Sequence, residues 1–170
     1  YNLILLFSAF LFLNLNCKKE SEPQLPPETT TGAMTFGCKV NGKVFIPKGS
    51  LVGPGITAQY LFLGNGQGGG WWLNLSAANR TESKGIYLRT DTLLVLQGNT
   101  YGFKKEKGYP SAEYAEGLND YFMNSTDSGE LTITKHDQSL RILSGRFSFT
   151  ASTSAGEKVT ITEGRFDICY

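Results

Sequence analysis

The sequence has one histidine, three cysteines and almost no excess of charge, and each shortage removes a class of function. With only His136 available, a two-histidine metal site cannot be built, and a thiolate site would compete for the same few cysteines. Sixteen Lys and Arg against fifteen Asp and Glu leave a formal charge of +1. No basic field therefore points to nucleic acid, and no acidic field to a cationic partner. Long helices are missing as well: the best short candidate, Ser111 to Leu118, is interrupted at Gly117. The expectation is a protein with no metal, no cofactor and no nucleic-acid partner.

The one long apolar run stands at the start. From Leu3 to Leu15 it offers roughly thirteen apolar positions against the ~20 a membrane-crossing helix needs, and it has no polar face. That length suits the apolar region of a signal peptide over residues 1–16, whose Met and basic start would precede Tyr1. Asn14-Leu15-Asn16-Cys17 resembles the lipobox of bacterial lipoproteins, and the chain turns polar at once with Lys18, Lys19 and Glu20. Cys17 is thus the expected lipid attachment point, with ordinary secretion and an unmodified thiol as the alternative. Residues 17–33, with Pro23, Pro26 and Pro27 and little apolar surface, are expected to form an extended or disordered tether. Glu20 and Glu22 resemble the acidic export cue of Bacteroidota surface lipoproteins, which slightly favours the outer face of the outer membrane over its periplasmic face.

Residues 34–170 suffice for a single domain. Twenty glycines, eleven Phe and eight Tyr suit short strands joined by tight turns, so the expected class is all-β: an antiparallel β-sandwich or partly open β-barrel. Asn41-Gly42 between Thr35–Val40 and Lys43–Ile46 signals a two-residue hairpin that places Val40 opposite Lys43 and Cys38 opposite Phe45. The glycine-rich stretch 64–70 has no Gly-Lys-Ser/Thr and no following helix, and is expected to join strands 59–63 and 71–77. Further strands are expected at 92–96 and 100–103, whereas 109–122 fits either short strands or a brief helix.

The C-terminal third reads as a three-stranded meander over 130–135, 140–151 and 157–170. Two segments echo each other there, Leu143-Ser-Gly-Arg-Phe and Thr162-Glu-Gly-Arg-Phe. In both, the apolar alternation changes phase across the glycine, which predicts bulges at Gly145 and Gly164. The lipobox-like start, Phe36-Gly-Cys-Lys-Val-Asn-Gly-Lys-Val-Phe45, Gly129-Glu-Leu-Thr-Ile-Thr-Lys135 and these Gly-Arg-Phe segments together resemble a family of uncharacterised Bacteroidota lipoproteins. The resemblance implies a lipoprotein of unknown function and assigns no catalytic residue.

With Cys17 lipidated, Cys38 and Cys169 form an even pair in the first and last strands. A disulfide between them is one reading, and two separate buried thiols the other. For function, alternation in 71–77 sets Trp72 on the polar face, and Tyr87 and Arg89 occupy the polar face of a following strand. Trp72, Tyr87 and Arg89 are therefore a candidate ligand patch for a glycan, a peptide or an envelope protein, unless Trp72 packs beneath a loop. A lipocalin-like carrier is the alternative, with apolar residues on both faces of 59–63 lining a cavity. A small hydrolase is a further alternative, using His136 beside Asp137, or a carboxylate pair such as Glu113 with Glu116 or Asp120 with Asp127. A non-catalytic module is the favoured reading.

Overall fold

The computed structural model of the protein describes residues 23–66 and 68–170. The expected signal peptide, Cys17, Glu20 and Glu22 lie outside the described residues. The strands are β1 (Thr35–Val40), β2 (Lys43–Phe45), β3 (Ile56–Phe62), β4 (Trp71–Asn79), β5 (Lys84–Thr90), β6 (Thr100–Gly102), β7 (Pro110–Glu116), β8 (Asn119–Phe122), β9 (Gly129–Asp137), β10 (Ile142–Ser152) and β11 (Lys158–Cys169). There is no helix among the described residues.

All of these strands belong to one large antiparallel sheet in the order β2-β1-β11-β10-β8-β7-β5-β4-β3, with β9 and β6 branching from β10. β10 joins the two halves because its first eight residues pair with β9 while Ser152, at its end, pairs with Phe122 of β8. The sheet does not close into a barrel. Its halves fold over a common core in which Phe36, Phe147, Phe149 and Ile161 from one half meet Leu73, Leu75, Ile86 and Leu88 from the other. The expected all-β class, open sheet and C-terminal meander are present.

Local chemistry explains the clearest elements. Asn41 and Gly42 have φ of 48° and 81°, the left-handed pair a two-residue hairpin turn requires, and Val40 faces Lys43 while Cys38 faces Phe45. The two echoing Gly-Arg-Phe segments turn out to be partners: Gly145 lies opposite Phe166, Arg146 opposite Arg165 and Phe147 opposite Gly164. Each phenylalanine ring covers the other strand's glycine. A Cβ on Gly145 would stand 2.8 Å from the Phe166 ring, and one on Gly164 2.6 Å from that of Phe147. The repeat is thus one reciprocal packing device used twice.

The expected phase slip exists in only one of the two strands. In β11 an extra residue sits between Ile161 and Gly164 relative to both neighbours, with Glu163 at φ 52°, so Val159 and Ile161 share the inner face with Phe166 and Ile168. In β10 there is no slip at Gly145, because Leu143, Gly145, Phe147, Phe149 and Ala151 all face inward in strict alternation. Of the two residues that suggested the slip, Leu140 lies in the preceding turn and is largely exposed, and Ile142 opens β10 buried against Gly32 of the strap-forming segment 23–33 rather than in the core; the extra residue beside Gly145 belongs to β9, at Thr134.

Two other expectations shift, and the open choice for 109–122 is decided for strands. Residues 92–96 form no strand: they cross the opening between the half-sheets, where the Val95 N–H donates to the Tyr60 hydroxyl at 3.1 Å and Val95 is fully buried. Residues 110–122 are the β7–β8 hairpin rather than a helix, since Tyr114 and Ala112 need to be buried on one face at a period of two. The largest change concerns the tether. Residues 23–33 have no regular structure but are held on the outer face of β1, β10 and β11 as a strap.

The strap is latched by Asp167. This carboxylate, 1% exposed, accepts from Thr29 Oγ1 at 2.6 Å, Ser144 Oγ at 2.7 Å, and the backbone N–H groups of Thr31, Gly32 and Ala33 at 2.8–3.2 Å. Burial would by itself raise its pKa, but the hydrogen bonds from Thr29, Ser144 and the strap backbone outweigh it and hold the carboxyl far below its ordinary range. Glu28 accepts from Arg146 Nε at 2.7 Å and so relieves the direct opposition of Arg146 and Arg165. From Thr35 the strap runs back alongside β1 to Pro23, beside Asn41 and Lys43.

Candidate ligand groove

β4, β5 and β7 lie side by side, with Asn74 opposite Arg89 and Arg89 opposite Ser111. Their outward side chains form a polar strip, and at one end the loop 104–109 rises over it. That loop is closed by the Lys104 N–H on the Pro110 carbonyl at 2.9 Å and by the Gly108 N–H on the Asp91 carboxylate at 3.0 Å. Between strip and loop lies a groove of about 520 Å³ that includes Trp72, Asn74, Arg89, Lys104, Tyr109 and Ser111 in its walls, with Lys105, Glu106, Lys107 and Asp91 around them.

Trp72 is half-buried, and its indole N–H is buried without an acceptor among the described residues. Leaving such a donor unpaired costs about 1–3 kcal/mol, so this tryptophan is not placed for polar stabilisation. Arg89 Nη1 pairs with Glu113 Oε1 at 2.6 Å, and its guanidinium lies 5.3 Å from the Tyr87 ring centroid. The Lys104 ammonium sits 4.1 Å from the Tyr109 ring centroid. The groove therefore offers two aromatic surfaces, an amide, a hydroxyl and four cationic side chains against the acids Asp91 and Glu106.

Of the patch expected from alternation, Trp72 and Arg89 both reach the groove, whereas Tyr87 lies one residue pair further along and supports Arg89 from beside. The lysine loop escaped the sequence reading. Its signal was available as Lys104-Lys-Glu-Lys-Gly-Tyr109, a cationic run ending in a turn glycine and an aromatic, but only the β5–β7 pairing brings it over Trp72.

The other candidates are dispersed. His136, which the expected strands 130–135 and 140–151 would leave in a turn, is in β9, with Nδ1 at 2.8 Å from the Val95 carbonyl and Nε2 at 3.2 Å from the Tyr170 hydroxyl. Glu113 and Glu116, three apart on β7, point to opposite faces, and Glu116 is held by Lys84 and the Tyr114 hydroxyl. Asp120 is exposed in β8, while Asp127 accepts from the Asn124 N–H and from Ser152. Asp137 accepts from the Leu140 N–H, which with Lys135 keeps its carboxyl below the ordinary range.

Of the two readings of Cys38 and Cys169, the structure has separate thiols rather than a disulfide, but only Cys38 is buried. Cys38 points into the core, where burial pushes its pKa up to about 12, and Cys169 is on the outer face. Cys169 lies roughly five residues along β11 from the position facing Cys38, about 17 Å at ~3.3 Å per residue. The carrier reading also changes in detail: Tyr60 turns inward and stacks on Trp71 at 4.9 Å, while Leu61 and Leu63 are exposed to solvent rather than lining a cavity.

These features define an all-β domain with one open, folded-over antiparallel sheet and a surface groove on one half of it. The chain belongs to the family described as Domain of unknown function (DUF6252), which matches residues 68–168. That span runs from β4 through β11 and includes the whole groove, whereas the strap and β1–β3 precede it. No curated protein and no solved structure matches the chain.

Proposed function

We propose that this chain is an outer-membrane lipoprotein, anchored through Cys17, whose β domain is a non-catalytic module that binds a glycan bearing anionic groups in the groove at Trp72. The composition of that groove carries the reading. Aromatic rings stack on the C–H faces of sugars, Asn74 and Ser111 can exchange hydrogen bonds with hydroxyls, and the Lys104, Lys105 and Lys107 ammonium groups suit carboxylate, phosphate or sulfate. Glu113 already neutralises Arg89, so the lysines supply most of the attraction for an anion.

A non-catalytic role is supported by the placement of the titratable side chains: both ring nitrogens of His136 have partners and Glu113 and Glu116 diverge. The lipid anchor is supported by the sequence around Cys17. Thermal-shift measurements on the mature chain with neutral glycans, acidic glycans and acidic peptides test the binding reading. Acidic glycans should raise Tm in a salt-sensitive way, and the rise should vanish in Trp72→Ala and in Lys104→Ala/Lys105→Ala. Stabilisation by acidic peptides only would replace the glycan with a peptide, and stabilisation by none of them sinks the reading. Intact-mass measurement of membrane-extracted protein tests the anchor, which fails if Cys17 carries no lipid.

A further inference from the structure

Opposite the groove, four turns gather at one end of the domain. The loop 48–55 touches the β4–β5 turn, since Lys48 pairs with Asn79 and Arg80 Nε donates to the Pro54 carbonyl at 3.1 Å. The β4–β5 turn touches the β7–β8 turn through the Gly117 N–H on the Ser83 carbonyl at 2.9 Å. Asn79, Lys84 and Glu116 then share a recess with Asn41 and Lys43 of the first hairpin, and with Pro23.

The tips of these turns carry apolar side chains that the described residues leave open to solvent. Leu51 and Leu118 are fully exposed and Val52 nearly so, the three most exposed large hydrophobic residues described. Around them Lys43, Lys48 and Arg80 are exposed and make no ion pair with a described acid. Fully exposed leucines on loop tips beside unpaired cations match the interfacial zone of a bilayer, where each apolar side chain gains by burial and each cation by an anionic headgroup.

The strap runs back from Thr35 to Pro23 beside Lys43, so the described chain begins at this end, with six residues of sequence from Cys17 to Glu22 before it. Six residues span at most ~20 Å, far less than a free tether of 17–33 would allow. We propose that this end is a membrane-docking surface, on which Leu51, Val52 and Leu118 enter a phospholipid bilayer while Lys43, Lys48 and Arg80 meet anionic headgroups. The groove at Trp72 then faces away from the lipid, at the far ends of β4, β5 and β7. The proposal relies on Cys17 as the anchor only for how closely the end is held.

The test uses the mature chain from residue 17, which contains every described residue, with Cys17→Ala so that no lipid tethers it. Leu51→Trp and Leu118→Trp are prepared separately and mixed with vesicles of phosphatidylethanolamine and phosphatidylglycerol brominated on the acyl chains. Both positions are solvent-exposed, so folding should be unaffected. The added indole should be quenched at least twofold and shift to the blue, while the chain containing only Trp71 and Trp72 keeps its emission. Co-sedimentation should fall severalfold when Leu51, Val52 and Leu118 are all changed to Asp, and also when salt is raised. Unquenched indoles at both positions, or equal quenching of Trp71 and Trp72, overturn the docking surface even if Cys17 proves lipidated. Quenching alongside an unmodified native Cys17 supports the surface and sinks only the anchor.

Discussion

The outer faces of the two half-sheets treat polar groups in opposite ways. Under the strap, one buried carboxylate satisfies donors from Thr29, Thr31, Gly32, Ala33 and Ser144, and Glu28 answers the facing pair of arginines. On the groove side, Trp72 keeps an indole N–H without an acceptor among the described residues, and the lysines of 104–107 rim an open space. The first face is arranged so that removing one group strands many others. The second has fewer buried polar bonds and is expected to tolerate loss better.

The sharpest way to break the contrast is to remove each centre in turn. Asp167→Ala leaves six donors without their acceptor and should lower unfolding stability by about 3–5 kcal/mol, with residues 23–33 becoming open to proteolysis. Trp72→Ala, read by the same urea titration, should cost less than half as much. Equal losses would erase the distinction between the faces.

Acid should reproduce part of the first effect. The folded pKa of Asp167 is depressed below its ordinary 3.8, so its contribution is complete above that value and drains away as pH falls through it towards the folded value. Stability is therefore expected to be insensitive to this group above about pH 5 and to decline below about pH 4. Asp167→Asn should flatten that decline, and an unchanged acid profile in this variant would assign it to other carboxylates.

A smaller effect is expected from Gly145→Ala, whose Cβ would stand 2.5 Å from the Thr132 carbonyl and against the Phe166 ring. Such overpacking costs about 1–3 kcal/mol in thermal unfolding. Gly102→Ala, with open space around the new Cβ, is the control and should stay within about 0.5 kcal/mol. Smallest of all is Trp72→Phe, which keeps the ring and deletes the orphan donor. Its Tm should hold or rise by an amount corresponding to under about 1 kcal/mol, and a marked drop would reveal a partner for the indole.

Much of the fold was legible because its signals are local. Asn41-Gly42 specifies its own turn, and Val159, Ile161, Phe166 and Ile168 announce the β11 bulge by parity. The matching inference for β10 failed because Leu140 was counted as part of a strand that begins two residues later, and because Ile142 is buried under the strap rather than in the core. Residues 92–96 misled for a related reason: an apolar run bridging two half-sheets has the composition of a strand without a neighbour to pair with. Trp72 and Arg89 were legible as candidate site residues from alternation, but Tyr87 fell outside the groove and the lysine loop was absent from the reading.

What the sequence by itself determined is the all-β class, most of the strands and turns, and, in β4, β5 and β11, which residues share a face. All of these follow from backbone preferences and a period of two over a few residues. The tertiary structure alone decided that Asp167 captures a segment more than 130 residues away, that Cys38 and Cys169 face apart, and that a lysine loop closes over Trp72. Those outcomes depend on strand order and register, which bring together side chains that carry no information about one another along the chain.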